Sequence, residues 1–451
     1  MQRHKATAAS KAKPATKASL STPKQPPAVA AATQVSGKDA ETHDKEGTQD
    51  TSKPKPEEDD FDMFSLDKFS AMKSVGTGDD KHEEIEQNST LADNWDDKEG
   101  YYRERVGEKL YEGRYHVLGG RGKGVFSTVL LCRNTRRQGK IQHEHVAVKV
   151  IRANDLMRKE GMKELTILRE IGQADPHGTS HNVRILEHFV HRNHLCLVFE
   201  AAEMNLREVI KKYGRNSGIN IDAVRRYAKQ LFQALRLLKK LGIIHADLKP
   251  DNIIVSADNH NIQVCDFGSA FRENGPDVIP TPYLVSRFYR APEIILGDLY
   301  GCAIDVWAAA TCLYELFTGS VMFSGRDNNA MLHEMQLIKG AFPVKILRRH
   351  RTNYEKLEKD HHFVQMPDWR FKLNKIDRVT KRIITSYIVV TTPKKDLGKV
   401  LMSSLSASGK KKLVLQLKDL LMKCLALDPD KRVTPSQALK HPFISSKTIH
   451  R

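Results

Sequence analysis

Two acidic residues, an asparagine, a lysine and a histidine lie close together between Ile244 and Gly268. The chain there reads I-H-A-D-L-K-P-D-N and then, after a short apolar run, V-C-D-F-G. That spacing suits phosphoryl transfer. Asp247 would sit in a tight loop with its carboxylate facing an alcohol, which it would orient and deprotonate. Asn252 and Asp266 offer the oxygen ligands that Mg²⁺ prefers, and Lys249 can neutralise phosphate charge. His245 reads as a brace for the loop and Phe267 as a packing residue.

Upstream, G-G-R-G-K-G-V-F-S-T-V spans Gly119–Val129, a stretch where glycines let backbone N–H groups approach phosphate oxygens. A glycine turn between strands is a common structural feature by itself, and so is a lysine at a strand edge. Here V-A-V-K follows and ends in Lys149, which can reach phosphates from beneath the loop. Glu164, in K-E-L-T-I-L, can hold that lysine by an ion pair. The ordered series of loop, lysine, glutamate, catalytic loop and metal aspartate argues for one site.

These residues need a framework. Tyr115 to Leu118 and Val125 to Cys132 read as strands around the glycine turn, the alternation of Val146, Val148 and Val150 as a third, and Leu195 to Glu200 as another. A helix is expected over Asp155 to Ile171, so the first half is an antiparallel sheet with one helix. Beyond Met204 helical spacing takes over. Val224, Tyr227, Leu231, Leu235 and Leu238 form one apolar stripe that stops at Gly242 and delivers the chain to His245. Further helical patterns run over Ala303–Leu316 and Val414–Leu425. The fold class is α+β and bilobal, with a small antiparallel-sheet lobe and a mainly helical one.

The chain has 451 residues, 40% of them hydrophobic, and a formal net charge of +18. Residues 1–100 hold only 14 of the 73 lysines and arginines but 20 of the 55 acidic residues, so the remainder is the more basic part. A basic folded part favours acidic partners such as phosphorylated protein, acidic peptide or RNA, or else it is simply a solvated surface. The six cysteines are scattered among apolar neighbours with no C-x-x-C pair, which reads as reduced core thiols of an intracellular protein. The start lacks an apolar leader, and no run approaches the roughly 18 apolar residues that span a bilayer. Residues 1–56 have almost no large apolar side chain and are expected to be disordered. From Glu57 the composition turns acidic, with Phe61, Met63, Phe64, Phe69 and Met72 interspersed, as in a docking segment or a solvated linker. Order is expected to begin near Trp95, in N-W-D-D-K-E-G-Y-Y-R.

V-A-V-K, H-A-D-L-K-P-D-N, D-F-G, A-P-E at Ala291–Glu293 and D-V-W at Asp305–Trp307 resemble the signature set of the eukaryotic protein kinases. Y-L-V-S-R-F-Y-R-A-P-E, Tyr283 to Glu293, is similar to the CMGC group near the dual-specificity tyrosine-regulated kinases. H-A-D in place of H-R-D, together with N-W-D-D-K-E-G-Y-Y-R, resembles the branch of that group that works in the spliceosome.

The resemblance implies a kinase domain over residues 115–443, with an N-lobe at 115–200 and a C-lobe at 204–443. A tail of residues 1–94 and a flanking segment of residues 95–114 would precede it, and residues 444–451 would follow. It implies an ATP- and Mg²⁺-dependent enzyme, monomeric, located in the nucleus with the cytoplasm as a second location, that phosphorylates Ser/Thr of splicing-related proteins. Asp247 matches the catalytic base, Lys249 the phosphate-contacting lysine, Asn252 and Asp266 the metal ligands, and Lys149 with Glu164 the activating ion pair. The nucleotide would meet Arg121, Gly122, Lys123, Gly124, Val125, Phe126, Ser127, Thr128, Val129, Ala147 and Lys149, with Glu200 and Ala202 as the hinge and Phe199 as gatekeeper. Glu293 and Arg432 match the pair that anchors the activation segment. Tyr283 falls where relatives autophosphorylate, and Arg287 and Arg290 would bind that phosphate.

Departures from the pattern are Ser127 for the third glycine, Arg121 for an aliphatic residue over the adenine, Ala310 for a helix glycine, and Ala246 for the phosphate-reading arginine. The region from Phe323 to about Lys412 reads as a basic insertion similar to the group's docking insert. No recognition motif supports direct RNA binding there. A pseudokinase scaffold and a signalling kinase outside splicing are the alternatives.

Overall fold

The computed structural model describes residues 96–446 except 98, 137–142, 216, 276–280, 378 and 406–409. The basic and acidic tail expectations, and Trp95, therefore lie outside the described residues. The first lobe is a six-stranded antiparallel sheet in the order β1-β2-β3-β4-β6-β5. Its strands are β1 Lys109–Leu110, β2 Tyr115–Lys123, β3 Ser127–Asn134, β4 His145–Ile151, β5 Ile185–His191 and β6 His194–Glu200, and α1 Asp155–Ala174 lies between β4 and β5. Alternation along β4 splits its side chains between two environments. Val146, Val148 and Val150 join an apolar cluster with Tyr102, Leu110, Tyr115 and Phe189, while Lys149 leaves on the face that meets α1. Asn154 caps α1 by accepting from the Met157 N–H at 2.8 Å. Gly161 lets α1 lie close on the sheet, because a Cβ there would sit 3.1 Å from Ile151 and 3.2 Å from Leu195. Glu164, nearly one turn on, is thereby brought to β4.

The second lobe begins with β7 Met204–Asn205, α2 Leu206–Val209 and the long α3 Ile221–Leu241, followed by β8 Ile243–Ile244, β9 Ile253–Val255, β10 Ile262–Val264 and β11 Phe271–Arg272. The expected apolar stripe of α3 is buried throughout. Gly242 ends the helix in the left-handed region at φ 65°, where glycine avoids the steric cost, and the chain turns directly into β8 and His245. Next come α4 Pro292–Ile295, α5 Ala303–Thr318, α6 Asn328–Lys339 and α7 Val344–Lys356. Helix α5 is buried from Ile304 to Thr318, so it forms the spine of the lobe. Ala310 packs within it, fully buried.

The structure differs from the sequence reading in several places, among them β2, which runs on through the glycines to Lys123. Val125 and Phe126 belong to the turn, since β3 starts at Ser127 and the Gly124 N–H closes the turn on the Ser127 carbonyl at 2.8 Å. The region from Phe323 to Lys412 is only partly an appendage, because Met331, Leu332 and Met335 of α6 lie in the main core. It also contains a three-stranded antiparallel sheet, β12 Phe363–Met366, β13 Asp368–Ile376 and β14 Ile383–Ile388, that the helical reading of this half did not include. The chain closes with α8 Leu397–Ser403, α9 Lys411–Cys424, α10 Pro435–Leu439 and α11 Pro442–Ser445. All six cysteines are free, five of them buried. No helix among the described residues is long and apolar enough to cross a membrane.

Candidate active site

Lys149 joins the two lobes electrostatically. Its Nζ donates to Glu164 Oε1 at 2.7 Å and Oε2 at 2.8 Å, and to Asp266 Oδ1 at 2.8 Å. Burial alone would raise the Asp266 carboxyl, but the adjacent Lys149 ammonium outweighs it and holds the group down at about 2, so Asp266 is an anion. Burial likewise opposes the lysine charge, yet Asp266 and Glu164 together push Lys149 above its ordinary value. Asp266 adopts φ 62°, an uncommon conformation for a non-glycine residue.

The catalytic loop hangs from α5. Asp305 accepts from the His245 N–H at 2.8 Å and the Ala246 N–H at 3.1 Å, which fixes Ala246 at φ 61° with its side chain fully buried. His245 braces the loop as anticipated, with Nε2 3.0 Å from the Cys265 carbonyl and Nδ1 accepting the Asp247 N–H at 3.2 Å. The Asp247 carboxylate is buried and fully engaged. Its Oδ2 accepts from Lys249 Nζ at 2.7 Å and Asn252 Nδ2 at 3.1 Å, and its Oδ1 accepts from the Ser286 hydroxyl at 2.7 Å. Ser286 is a site residue that sequence reasoning missed. Its signal was a hydroxyl inside Y-L-V-S-R, read there only as part of a signature.

Gly124, Val125, Phe126, Ser127, Lys149, Asp247, Lys249, Asp266 and Ser269 line one cavity of about 250 Å³. The loop, the ion-pair lysine, the base and the metal aspartate thus face the same space. Arg121, Gly122 and Lys123 lie exposed at the end of β2, Thr128 is buried and Val129 half-buried. Val129 pairs with Lys149 across the sheet, and Ala147 pairs with Leu131 and Phe199. Glu200 is exposed at the end of β6, and Ala202 follows it half-buried. No group of three or more His, Cys, Asp or Glu side chains gathers as a metal site among the described residues. A two-residue set of Asp266 and Asn252 suits Mg²⁺, which takes one or two protein ligands and completes its shell with phosphate and water oxygens. The residues present therefore fit a metal–nucleotide complex, with Lys149 and the loop amides on the phosphates.

The activation segment is anchored by Arg432, which holds both Glu293 oxygens at 2.6 and 2.8 Å and the Ala303 carbonyl at 2.8 Å. The buried Arg290 guanidinium donates to the backbone carbonyls of Tyr283, Leu284 and Val285 and to Asn328 Oδ1. It thus shapes the backbone around Tyr283, a role beyond the phosphate contact expected of it. Tyr283 is half-buried, with Lys359 Nζ 5.3 Å from its ring centroid, and Arg287 is half-buried. Beneath the segment, Arg207 ties Asp251, Glu315 and the Tyr289 hydroxyl into one network, a second feature the sequence did not announce.

Catalytic base, phosphate loop, lysine–glutamate pair and anchored segment, set between a sheet lobe and a helical lobe, define a protein kinase. Residues 115–444 match the protein kinase domain family, and the chain belongs to it. It is 42% identical over 387 residues to the serine/threonine-protein kinase prp4 of Schizosaccharomyces pombe, covering 86% of this chain and 78% of that protein. It is 43% identical over 359 residues to the serine/threonine-protein kinase prpf4B of Dictyostelium discoideum, covering 78% of this chain and 42% of that one. Against human dual specificity tyrosine-phosphorylation-regulated kinase 3 it is 34% identical over 373 residues, 79% of this chain and 58% of that protein. The chain is accordingly a serine/threonine kinase of the CMGC type, resembling the Prp4 kinases more than the dual-specificity ones.

Proposed function

We propose that this kinase transfers the terminal phosphate of ATP to serine or threonine hydroxyls of splicing-related proteins, at sites followed by proline. The observation that carries the transfer is the Ser286 hydroxyl seated 2.7 Å from Asp247 Oδ1, with Lys249 Nζ 2.7 Å from the other oxygen. The base therefore already holds an alcohol, and a cation lies where charge would build up. In the reaction the substrate oxygen attacks the γ-phosphorus, its proton passes to Asp247, and the bond from the γ-phosphorus to the β–γ bridging oxygen breaks as ADP departs. Asp266 and Asn252 would hold Mg²⁺, which supplies charge neutralisation on the phosphates. Lys149, fixed by Glu164, aligns the nucleotide, and Asp305 keeps the loop amides in place.

The preference for proline follows from Val285. Its φ of 68° turns its carbonyl onto Arg290 Nε and Nη2 at 3.2 and 2.9 Å. A substrate N–H arriving beside Ser286 would find that acceptor taken, and proline brings no N–H. A matched pair of Ser-Pro and Ser-Ala peptides checks this, and equal kcat/KM would overturn it.

The splicing assignment, and with it the nuclear location, rests on the H-A-D and N-W-D-D-K-E-G-Y-Y-R resemblance and on the likeness to the prp4 protein. Capture of spliceosomal proteins by the chain is the expected result, and their persistent absence would favour a signalling role. RNA that binds the purified chain directly would add a nucleic-acid partner. Tyr283 is the proposed autophosphorylation site, its loop held by Arg290 with Arg287 nearby in sequence. Protein made in bacteria should carry phosphotyrosine there, and mass spectrometry finding none would remove this part. For the transfer itself, wild type should label a generic protein substrate and Asp247→Ala should not.

A further inference from the structure

The turn that precedes the kinase domain is fastened to the tip of the phosphate loop. Tyr101 donates its hydroxyl to the Val125 carbonyl at 2.9 Å, and the ring is buried with two cations against it, Lys123 Nζ at 3.8 Å and the Arg152 guanidinium at 4.2 Å from its centroid. Lys123, on the rising strand of the loop, is held by Asp97 Oδ2 at 2.9 Å. Asp97 in turn shapes the turn, its Oδ1 accepting from the Glu99 and Tyr101 N–H groups at 3.0 and 2.9 Å. Arg152 is buried and links all three parts. Its side chain donates to the Glu99 carbonyl and to the Val125 carbonyl at 3.3 Å, while its own N–H donates to the Phe126 carbonyl at 3.0 Å. At the other end Asp96 Oδ1 lies 2.8 Å from His194 Nε2, and His194 Nδ1 lies 2.7 Å from the Ile151 carbonyl, so the turn is rooted in the sheet.

We propose that residues 96, 97 and 99–102 form an intramolecular brace that sets the height of the phosphate loop over ATP, with Tyr101 as a positioning residue for the nucleotide. A glycine-rich hairpin is intrinsically loose, and its amides hold phosphate well only if their position is fixed beforehand. In this chain the tip is held through the Val125 carbonyl, an acceptor, so the contact takes none of the loop N–H donors that a phosphate would use. The brace lies at the site described above and rests on its reading as the ATP site. Tyr101 touches neither substrate nor reacting atoms, so it acts through Val125.

Tyr101→Phe in the full chain removes only the hydroxyl. Loss of one such hydrogen bond is expected to raise KM for ATP about 2- to 10-fold, with kcat at saturating ATP changing less. Amide exchange at residues 119–127 of the nucleotide-free protein should quicken, while α3 and α5 stay as protected as in wild type. Asp97→Asn, which releases Lys123, should move KM in the same direction by a smaller factor. Unchanged KM and unchanged loop exchange in Tyr101→Phe would overturn the brace. So would a general loss of protection with KM unmoved, because that is a merely structural tyrosine. The exchange measurement needs no turnover, so it separates failure of the brace from failure of the ATP-site reading, which wild-type turnover tests.

Discussion

Two buried ion pairs of nearly equal length serve different parts of this molecule. Lys149–Glu164, at 2.7 Å, opens onto the cleft and shares its cation with Asp266. Arg432–Glu293, at 2.6 Å, is sealed, with both side chains essentially inaccessible and the guanidinium further tied to the Ala303 and Ala426 carbonyls. The chemistry is the same and the surroundings decide the role. A cation that shares its carboxylates with a cavity can exchange one of them for phosphate. A cation whose donors all end on protein can only hold two segments together.

The comparison breaks most readily in the catalytic measurements. Asp247→Ala and Lys149→Met should each lower kcat/KM about 10²- to 10⁴-fold, with Asp247→Ala leaving the melting temperature within a few degrees of wild type and Lys149→Met, which strands the buried Glu164, lowering it by less than Arg432→Ala does. Phosphate incorporation and thermal melting on the same preparations check this. If Lys149→Met unfolded the protein, the cleft pair would be as structural as the sealed one. The mirror case is Arg432→Ala, which strands the buried Glu293 carboxylate and should cost about 3–5 kcal/mol of stability. Denaturant titration is the measurement, and a loss of activity without a loss of stability would contradict the assignment.

Ser286→Ala sharpens the same contrast by a smaller amount. The hydroxyl bonds a charged carboxylate, and removing such a bond typically costs about 1.5–3 kcal/mol, or roughly 10- to 100-fold if the interaction survives into the transition state. A fall in kcat with little change in KM for ATP is expected. Ser286→Thr, which keeps the hydroxyl, should recover most of it.

The two regions also differ in how far the sequence announced them. Asp247, Lys249, Asn252, Asp266, Lys149 and Glu164 were legible because they follow one another as one ordered set; four of them, Lys149, Asp247, Lys249 and Asp266, line one cavity, with Glu164 bonded to Lys149 and Asn252 to Asp247. The α3 stripe and the Gly242 stop were legible for the same kind of reason, a period and a terminator. Ser286 was not, because a serine in a polar loop has many uses and only its contact with Asp247 distinguishes it. The β12–β14 sheet was hidden by composition. W-R-F-K-L-N-K-I alternates, with Phe371 and Leu373 buried, but it lies within an insertion whose reading rested on overall charge and not on period. The Arg207 network joins residues up to 108 positions apart, which no local pattern can show.

The sealed side should also be the pH-sensitive one. Helix α7 fastens the end of α4, which carries Glu293, through Tyr354 and His350. Nδ1 of His350 lies 3.2 Å from the Leu296 carbonyl, which can only accept, so Nδ1 carries the proton and Nε2 accepts the His362 N–H at 3.0 Å. Protonating Nε2 would set N–H against N–H. Burial, with the neighbouring His362 and His361 adding to it, pushes His350 down to about 3. Burial, then Lys372, pushes His362 down to about 4, against Asp360. Both rings are therefore neutral when folded, but in the unfolded chain they take up protons below their ordinary value near 6.5. The unfolded state binds more protons between pH 6.5 and 4, so stability falls as pH drops through that window, by up to about 1.4 kcal/mol per pH unit for each histidine. Above pH 7 neither ring contributes a slope. Denaturation midpoints between pH 7.5 and 5 should show this decline in wild type and a shallower one in His350→Gln. An equal slope in the variant would assign the acid sensitivity to other groups.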